Sequence, residues 1–269
     1  MDRFYVIGNP VNHSLSPAIH AAFARQFGIE QTYETRRFER FAEDMGALRR
    51  EMNPAGVNIT VPFKQDAFDY CEILTDRAKL ARAVNTMSFY DGMATGDNTD
   101  GIGFVTDVEK RFGFPLKGAR VLILGAGGAA RGVLAALKDC GCAAIAVANR
   151  TPAHVTDLIK DFGVRPLLFT ETAAGGFDLI VNCTSAGLSG VAPAVPNTAF
   201  KDAAMAYDLF YAAEPTPFLR LAAESGCPKC VDGLGMLVEQ AAEAFRLWHG
   251  KMPETESVYQ SLRKAQARS

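Results

Sequence analysis

Four short polar clusters in the first half of the chain contain the side chains that could bind and process a small hydroxylated acid. They lie at the ends of predicted elements and read Asn12-His13-Ser14-Leu15-Ser16-Pro17, Asn58-Ile59-Thr60-Val61-Pro62-Phe63-Lys64, Ala83-Val84-Asn85-Thr86 and Gly96-Asp97-Asn98-Thr99-Asp100-Gly101. Together they offer hydroxyls, amides, carboxylates and one ammonium group, which suit a polyhydroxy acid better than an apolar ligand. The clusters predict a polar ligand site in this half of the chain.

Each cluster also has a simpler interpretation. Ser16 is suited to cap a helix whose first residue is Pro17. Asn98 or Asp100 could serve only to start the next helix, and Lys64 could be a solvated surface lysine. Four such clusters beside a nucleotide-binding motif favour the site over these interpretations.

A glycine-rich turn in the second half has the pattern of a dinucleotide-binding loop. The apolar residues 121–124 are typical of a buried strand, and Gly125-Ala126-Gly127-Gly128-Ala129 follows them directly. The first glycine permits a tight turn, the second lets backbone N–H groups approach a pyrophosphate, and Ala130 lets strand and helix pack closely. A turn that serves packing alone is the alternative. The position inside a βαβ unit favours dinucleotide binding at the N-terminus of the following helix.

The end of the next predicted strand distinguishes between cofactors. NAD enzymes usually carry an acidic residue there, which accepts hydrogen bonds from the ribose hydroxyls. Here the strand ends in Asn149-Arg150-Thr151, which contains no carboxylate. The Arg150 guanidinium can pair with a 2′-phosphate, which an acid would repel. The pattern therefore predicts NADP(H) rather than NAD.

Strand-like apolar runs alternate with helical stretches along the whole chain. Such alternation predicts an α/β fold with parallel sheets covered on both faces. Asp91-Gly92, between two strand-like runs, is typical of a hairpin turn. The 269 residues suggest two domains of roughly 100–200 residues each, with a hinge expected near residues 100–118.

Composition and charge exclude several classes of protein. The chain is 48% hydrophobic and 22% charged, which is typical of a globular protein and not of a disordered one. Its 28 basic and 30 acidic residues give a net charge of −2, so no basic excess indicates a nucleic-acid partner. No apolar run approaches the ~18 residues of a membrane span, and the first residues lack a secretory signal pattern.

Six scattered cysteines are interpreted as reduced thiols, which predicts a cytoplasmic location. Cys227 and Cys230 have the CxxC spacing of some zinc and redox sites. No second pair has the spacing of a zinc ribbon, so we expect no metal site.

Over essentially its whole length the sequence resembles the NADP-dependent shikimate dehydrogenase family of aromatic amino-acid biosynthesis. The resemblance runs from Gly8-Asn9-Pro10, through the motifs above, to the segment 232–240 with the sequence DGLGMLVEQ. It implies two α/β domains with a cleft between them. Residues 1–101 with 236–269 would form a substrate domain from both chain ends, and residues 102–235 an inserted Rossmann-type NADP domain. Monomer and homodimer are both compatible with the composition.

The same resemblance implies roles for individual residues. Ser14 and Ser16 match serines that hold the substrate carboxylate, and Lys64 and Asp100 match the catalytic pair, which also binds substrate. The other substrate-binding positions are Thr60, Asn85, Tyr211 and Gln240. The cofactor-binding positions are Gly125, Ala126, Gly127, Gly128 and Ala129 at the pyrophosphate, Asn149, Arg150 and Thr151 at the 2′-phosphate, Leu209 and Gly233 near the nicotinamide, and Asp76 near the cofactor.

Two positions depart from the family pattern. His154 stands where the family often has a second basic residue, and a histidine is mostly neutral at pH 7. This predicts a weaker hold on the 2′-phosphate and a smaller preference for NADP. Ala213 stands where the family usually has proline, which predicts a less rigid loop beside Tyr211.

The implied reaction is the reversible reduction of 3-dehydroshikimate to shikimate, which needs a hydride on carbon and a proton on oxygen. NADPH supplies the hydride, and Lys64 is a suitable proton donor. Asp100 would hold the ammonium group and a substrate hydroxyl together. Two alternatives remain open. One is a relative that oxidises quinate, or both acids, with NAD, and the other is a catalytically silent NADP-binding sensor on the same scaffold.

Overall fold

The computed structural model describes residues 1–184, residue 186 and residues 190–267, with the backbone alone at Pro152 and His154. It divides into two compact units. The first consists of Met1–Gly103 and Leu237–Gln260, and the second of Phe104–Met236 and the residues from Ser261 onward. The division expected from the sequence placed residues 261–269 in the first unit. The structure groups Arg263 with the second unit, and its guanidinium pairs with the Asp232 carboxylate of that unit.

A six-stranded mixed sheet forms the centre of the first unit. Its strands are β1 (Asp2–Gly8), β2 (Gln31–Arg37), β3 (Gly56–Ile59), β4 (Ile73–Leu74), β5 (Thr86–Tyr90) and β6 (Met93–Asp97). They lie in the order β2-β1-β3-β5-β6-β4. Strand β1 is parallel to β2 and β3, whereas β5 is antiparallel to β3 and β6. The sheet of this unit is therefore mixed, whereas the alternation of strands and helices predicted parallel sheets. The hairpin predicted at Asp91-Gly92, both with positive φ, reverses the chain between β5 and β6.

A six-stranded parallel sheet forms the centre of the second unit. Its strands are β7 (Arg120–Leu124), β8 (Ala144–Ala148), β9 (Arg165–Leu167), β10 (Leu179–Asn182), β11 (Met205–Asp208) and β12 (Cys230–Asp232). The order β12-β11-β10-β7-β8-β9 is that of a doubly wound dinucleotide-binding sheet, in which the strand order reverses beside the first strand. All neighbouring strands are parallel.

Ten α-helices connect and cover these sheets in the described residues. They are α1 (Ser16–Phe27), α2 (Phe41–Met52), α3 (Lys64–Tyr70), α4 (Asp76–Ala81), α5 (Asp100–Thr106), α6 (Gly128–Leu137), α7 (Thr156–Phe162), α8 (Pro217–Glu224), α9 (Leu234–His249) and α10 (Glu256–Gln266). Helix α5 continues as a π-helical turn over Asp107–Arg111. None of the helices described is both long and apolar enough to cross a membrane.

The start of α1 differs from the prediction that Ser16 caps this helix. Ser16 is itself the first helical residue, and Leu15 occupies the N-cap position without a side-chain bond. The Ser14 Oγ supplies an acceptor instead, since it accepts a hydrogen bond from the Ser16 backbone N–H at 3.2 Å. This bond ties the two serines to one another at the beginning of the helix.

The two faces of the first sheet carry different cores, because successive side chains of a strand point to opposite faces. Along β1, Tyr5 packs in a cluster with Met45 and Leu48 of α2. Phe4 points the other way and stacks on Trp248 of α9, with ring centroids 4.6 Å apart. The second face is therefore covered by aromatic side chains.

His20 of α1 lies in this aromatic core, fully buried, with its ring stacked on Tyr33 at 4.2 Å. Burial, together with the nearby His249, lowers the pKa of His20 from 6.5 to about 3. The folded protein therefore keeps His20 neutral at a pH where the unfolded chain already binds a proton.

We expect the free energy of unfolding to fall as the pH drops below 6.5, the ordinary histidine pKa. The unfolded state gains a proton there that the folded state excludes, which costs about 1.4 kcal/mol at about pH 5.5. Urea unfolding should show that, from about pH 8 to about pH 5.5, the free energy of unfolding of His20→Phe falls by about 1.4 kcal/mol less than that of the wild type. His13→Gln, at an exposed position, should keep the full pH dependence. An unchanged pH dependence in His20→Phe would contradict the assignment.

The second sheet is covered on both faces, as the prediction required. On one face Val121 and Ile123 pack with Val133 and Leu134 of α6. On the other, Leu122 and Leu124 belong to the core cluster that contains Phe218 and Leu219 of α8. Strand β7 is consequently apolar at every position but its first, as the run 121–124 predicted.

Candidate functional site

The four polar clusters meet at one edge of the first sheet. Strands β1, β3 and β6 run in the same direction, so the segments that follow them emerge at a common edge, and the antiparallel β5 begins there. Backbone bonds join these segments: Asn9 N–H donates to the Val61 carbonyl at 3.0 Å, and Asn85 N–H donates to the Asp97 carbonyl at 3.1 Å. The mixed topology is what brings the clusters together.

Lys64 and Asp100 form an ion pair at this edge. Lys64 is the first residue of α3 and Asp100 the first residue of α5. The Lys64 Nζ lies 2.5 Å from the Asp100 Oδ2, and the two side chains are 24% and 10% exposed. Partial exposure lets a ligand reach the ammonium group, while the carboxylate fixes its position. The pair can therefore hold the Lys64 ammonium group as a proton donor beside a hydroxyl or carbonyl oxygen of a ligand.

Asn98 fixes the backbone that carries Asp100. Its Oδ1 accepts a hydrogen bond from the Asp100 backbone N–H at 3.1 Å, and its Nδ2 donates to the Ala83 carbonyl at 3.0 Å. Asn98 thus joins the loop after β6 to the segment before β5. The simpler interpretation of Asn98 as a helix starter also describes this contact, since it holds the first residue of α5.

Asn85 lies at the centre of the cluster and is 2% exposed. Its Nδ2 donates to the Asp100 Oδ1 at 2.9 Å, to the Thr99 Oγ1 at 2.9 Å and to the Gln240 Oε1 at 3.2 Å. Together with the Lys64–Asp100 ion pair, these contacts join four of the eight predicted substrate-binding residues: Lys64, Asn85, Asp100 and Gln240.

Thr60 and the serine pair lie on the neighbouring segments of the same edge. Thr60 N–H donates to the Ile7 carbonyl at 2.8 Å, which places Thr60 beside the end of β1. Gly8 lies close to the Thr60 methyl group, and a side chain at Gly8 would overlap it. Ser14 is half-buried and Ser16 buried, at the start of α1.

An ion-pair network that the sequence did not reveal supports this edge. Arg77 of α4 donates to the Asp97 Oδ2 at 2.5 Å and to the Glu243 Oε1 at 2.9 Å. Burial opposes ionisation of Asp97, but hydrogen bonds from Arg77 and Thr75 hold its pKa below the ordinary value. The network ties α4 to the end of β6 and to α9, just before the Asn98–Asp100 turn.

Asp76, predicted to lie near the cofactor, is the first residue of α4. Its side chain is fully exposed, and its Oδ1 lies 3.7 Å from the Lys79 Nζ. These contacts do not test a cofactor role, which stays a prediction.

The phosphate loop of the second unit has the geometry that its sequence predicted. Gly125 has φ of +99°, a conformation that favours glycine, and an added Cβ would lie 3.1 Å from the Thr184 Cγ2. Gly127 is the N-cap residue of α6, and Gly128 its first residue. A Cβ at Gly127 or Gly128 would meet no described protein atom. Glycine at these two positions therefore leaves open space beside the backbone at the start of α6, the kind of space through which a pyrophosphate approaches backbone N–H groups.

The turn after β8 carries the predicted 2′-phosphate residues. The Asn149 Nδ2 donates to the Thr151 carbonyl at 2.8 Å, which closes the turn around Arg150. Arg150 and Thr151 are exposed, so the guanidinium is available to a phosphate. The donor set fits NADP, since the turn offers a cation and no acid. The side chain of His154 lies outside the described part of the structure.

The turn after β11 carries Leu209 and Tyr211, held by the buried Asp208. The Asp208 carboxylate accepts hydrogen bonds from the Thr216 Oγ1 at 2.6 Å, the Asn182 Nδ2 at 3.0 Å and the Phe210 backbone N–H at 3.1 Å. Burial raises the pKa of Asp208 above its ordinary value. The Tyr211 ring stacks on Phe210. Sequence reasoning missed Asp208, although an acid that ends a predicted buried strand is a usable signal.

Gly233 packs against the backbone of the same turn. An added Cβ would overlap the Leu209 carbonyl, and Gly233 N–H donates to the Phe210 carbonyl at 3.2 Å. The structure therefore brings Leu209 and Gly233 together, the two residues predicted to lie near the nicotinamide.

Fold and site together define a class of protein. It is a two-unit α/β protein whose first unit carries a lysine–aspartate pair among polar side chains and whose second unit has a Rossmann-type dinucleotide-binding sheet. Three family models match the chain. The shikimate dehydrogenase substrate binding domain matches residues 6–87, shikimate / quinate 5-dehydrogenase matches residues 107–205, and the shikimate 5′-dehydrogenase C-terminal domain matches residues 233–263.

Individual relatives agree with these models. A shikimate dehydrogenase (NADP(+)) from Nitrosomonas europaea is 47% identical over 270 residues, 98% of this chain and 97% of the relative. The crystal structure of an Ael1 enzyme from Pseudomonas putida has a TM-score of 0.92 at 41% identity, covering 97% of this chain and 98% of the other. Shikimate 5-dehydrogenase from Thermus thermophilus, in complex with NADP(H) and shikimate, has a TM-score of 0.88 at 38% identity, covering 98% and 100%. The chain belongs to the shikimate dehydrogenase family, as the sequence predicted.

Proposed function

We propose that the protein catalyses the reversible NADPH-dependent reduction of 3-dehydroshikimate to shikimate. The observation that carries the proposal is the Lys64–Asp100 ion pair, with Nζ and Oδ2 at 2.5 Å, in a member of a family whose solved structures include one with NADP(H) and shikimate. In this role the protein is an oxidoreductase of aromatic amino-acid biosynthesis. We further propose a cytoplasmic location, supported by the six free cysteines, with monomer and homodimer both compatible.

Lys64 is assigned the proton that moves to or from the reacting oxygen. Its ammonium group can donate this proton during reduction, and the neutral amine can accept it during oxidation. Asp100 holds the ammonium group through Oδ2 and accepts from Asn85 through Oδ1. In our proposal Thr60, Asn85, Gln240 and Tyr211 bind the ring substituents of the substrate.

NADP(H) would be held by the second unit, where NADPH would supply the hydride for reduction and NADP would accept it during oxidation. The loop Gly125, Ala126, Gly127, Gly128 and Ala129 would hold the pyrophosphate with backbone N–H groups, and Asn149, Arg150 and Thr151 the 2′-phosphate. Leu209, Gly233 and Asp76 are proposed as further cofactor contacts. Residues 1–101 with 236–269 are proposed as the substrate domain and residues 102–235 as the NADP domain. Tyr211 of the NADP domain would also contact the substrate, and Asp76 of the substrate domain the cofactor.

A comparison of four substrate–cofactor pairs tests this proposal. We expect kcat/KM to be highest for shikimate with NADP, compared with shikimate and NAD, quinate and NADP, and quinate and NAD. Higher kcat/KM for quinate with NAD would support the quinate-oxidising alternative. Cofactor binding without turnover of either acid would support the silent sensor.

Ser14→Ala and Ser16→Ala are each expected to raise KM for shikimate about tenfold and to change kcat by less than about threefold. The reason is that a hydroxyl hydrogen bond to the carboxylate is made equally before and during the reaction, and such a bond contributes about 1.4 kcal/mol. Steady-state kinetics at saturating NADP provide the measurement. Ser257→Ala, at an exposed position of the first unit, is the matched control. A loss confined to kcat would refute a carboxylate-binding role.

A further inference from the structure

A chain of hydrogen bonds crosses the first sheet and ends on the Asp100 carboxylate. The Tyr33 hydroxyl donates to the Asn58 Oδ1 at 2.6 Å, and the Asn58 Nδ2 donates to the Thr86 Oγ1 at 3.0 Å. The Thr86 hydroxyl donates to the Asn85 Oδ1 at 3.0 Å, and the Asn85 Nδ2 donates to the Asp100 Oδ1 at 2.9 Å. We call these five residues the relay. Every bond in the relay points the same way, from Tyr33 toward Asp100.

Sheet register places three of the five relay residues, Tyr33, Asn58 and Thr86, on a single face. Tyr33 on β2 is opposite Phe4, and Asn58 on β3 is opposite Val6, two residues further along β1. Asn58 is directly opposite Thr86 across the antiparallel β3–β5 pair. Residues opposite one another in a sheet point to the same face. Strand pairing therefore fixes the first three residues of the relay. Asn85 lies just before β5 and Asp100 begins α5, and each is held by its backbone N–H, which donates to the Asp97 carbonyl and to the Asn98 Oδ1, respectively.

The Asn58 amide has only one acceptable orientation. Its Nδ2 also donates to the Asn85 carbonyl at 3.2 Å, so a reversed amide would place two oxygen atoms against each other. The Tyr33 hydroxyl completes the arrangement by donating to Oδ1. Desolvation raises the pKa of Tyr33 above its ordinary value, so the phenol remains a donor. Asn58 is 5% exposed and Thr86 1%, which makes an unpaired polar group here costly.

The same reasoning applies to the Asn85 amide. Its Oδ1 accepts from the Thr86 hydroxyl and from the Thr99 backbone N–H at 2.8 Å. Its Nδ2 must then face Asp100. The Asp100 Oδ1 is thereby occupied by the amide, and Oδ2 is left for the Lys64 ammonium group.

We propose that Tyr33 and Thr86 are positioning residues for the reaction: through the Asn58 and Asn85 amides they set the orientation of the Asp100 carboxylate that holds Lys64. Neither residue is required to touch substrate or cofactor. The inference rests on the proposed function, because its main test is the rate of shikimate oxidation.

Thr86→Val removes the hydroxyl with little change in shape and is expected to lower kcat about tenfold, the effect of one hydrogen bond of about 1.4 kcal/mol. Thr86→Ser keeps the hydroxyl and should restore kcat to within about threefold of the wild type. Tyr33→Phe should lower kcat by about threefold to tenfold, because the Tyr33 hydroxyl lies two hydrogen bonds further from Asp100 than the Thr86 hydroxyl does. Tyr5→Phe, buried in the same unit and outside the relay, is the matched control and should keep wild-type kcat.

A double-mutant cycle separates positioning from a structural effect. If Thr86 acts through Asn85, the effect of Thr86→Val should shrink from about tenfold to less than about twofold in an Asn85→Ala background. Independent structural effects would multiply, and that result would overturn the proposal. Equal kcat values for Thr86→Val and Thr86→Ser would overturn it as well.

The relay can also be tested by a measurement that needs no enzyme activity, so that its failure can be told apart from a failure of the proposed function. The side-chain amide protons of Asn85, followed by NMR, should exchange with solvent at least about tenfold faster in Thr86→Val than in the wild type or Thr86→Ser, because the substitution removes a bond that holds the amide. A wild type that does not oxidise shikimate would refute the proposed function, while the exchange rates would still decide the relay. An active wild type with equal exchange rates in all three proteins would refute the relay alone.

Discussion

Lys64→Ala is expected to lower kcat for shikimate oxidation by at least about 100-fold, with a smaller change in KM. A positioned proton donor or acceptor typically contributes ~10²–10⁴-fold to a rate. Lys64 is the one ammonium group of the polar clusters, and it is fixed by the Asp100 carboxylate at 2.5 Å. Removing it takes away an interaction that matters most when the proton moves, which lowers kcat more than it weakens binding.

Steady-state kinetics at saturating NADP measure this effect, and Lys251→Ala provides the control. Lys251 is an exposed lysine of the same unit, so its removal should leave kcat unchanged. The circular dichroism spectrum and urea unfolding of Lys64→Ala should match those of the wild type. An unchanged kcat in folded Lys64→Ala would remove Lys64 from the reaction.

Arg150→Ala is expected to lower kcat/KM for NADP by about 10- to 100-fold and to change kcat/KM for NAD by less than about twofold. The physical reason is the loss of a charge-assisted bond to the 2′-phosphate, which contributes about 1.5–3 kcal/mol. The turn that carries Arg150 is closed by the bond from Asn149 to the Thr151 carbonyl, and this bond does not involve the arginine side chain. The substitution should therefore leave the turn in place.

Initial rates with each cofactor at low concentration provide the measurement. Arg165→Ala, at an exposed position of β9 in the same unit, is the matched control and should change neither value. If Arg150→Ala lowered kcat/KM equally for NADP and NAD, the arginine would not be the group that recognises the 2′-phosphate.

The phosphate loop could be predicted from the sequence because its determinants are local. A strand, three glycines and the first turn of a helix lie within about ten consecutive residues, and Gly125, Gly127 and Ala130 each have their own steric reason. The structure agrees at Gly125, where φ is +99°. The alternation of strands and helices predicted a parallel sheet. Its doubly wound strand order was implied only by the resemblance to a family with a Rossmann-type domain, because other orders obey the same connection rule.

The substrate side could be predicted only in part. The four polar clusters were visible in the sequence, but composition gave no reason for them to share one sheet edge. That arrangement depends on β5, which is antiparallel to both β3 and β6 and therefore begins at the edge where those two strands end. The roles of Ser14, Thr60 and Gln240 came from the family resemblance and not from spacing.

Residues that act through other residues could not be predicted at all. Tyr33 and Asn58 are 25 positions apart, and Arg77 and Glu243 are 166 apart. Contacts of this kind are set by strand register and helix packing, which no local pattern encodes. Asp208 is an intermediate case, since its position at the end of an apolar strand was visible but its task in the following turn was not.

The central claim is that this protein oxidises shikimate with NADP, and the most direct measurement is the rise of NADPH absorbance when the purified protein is mixed with both. We expect a rise that depends on shikimate concentration, saturates, and is lost in Lys64→Ala. No rise at millimolar shikimate, with folded protein and bound NADP, would contradict the claim.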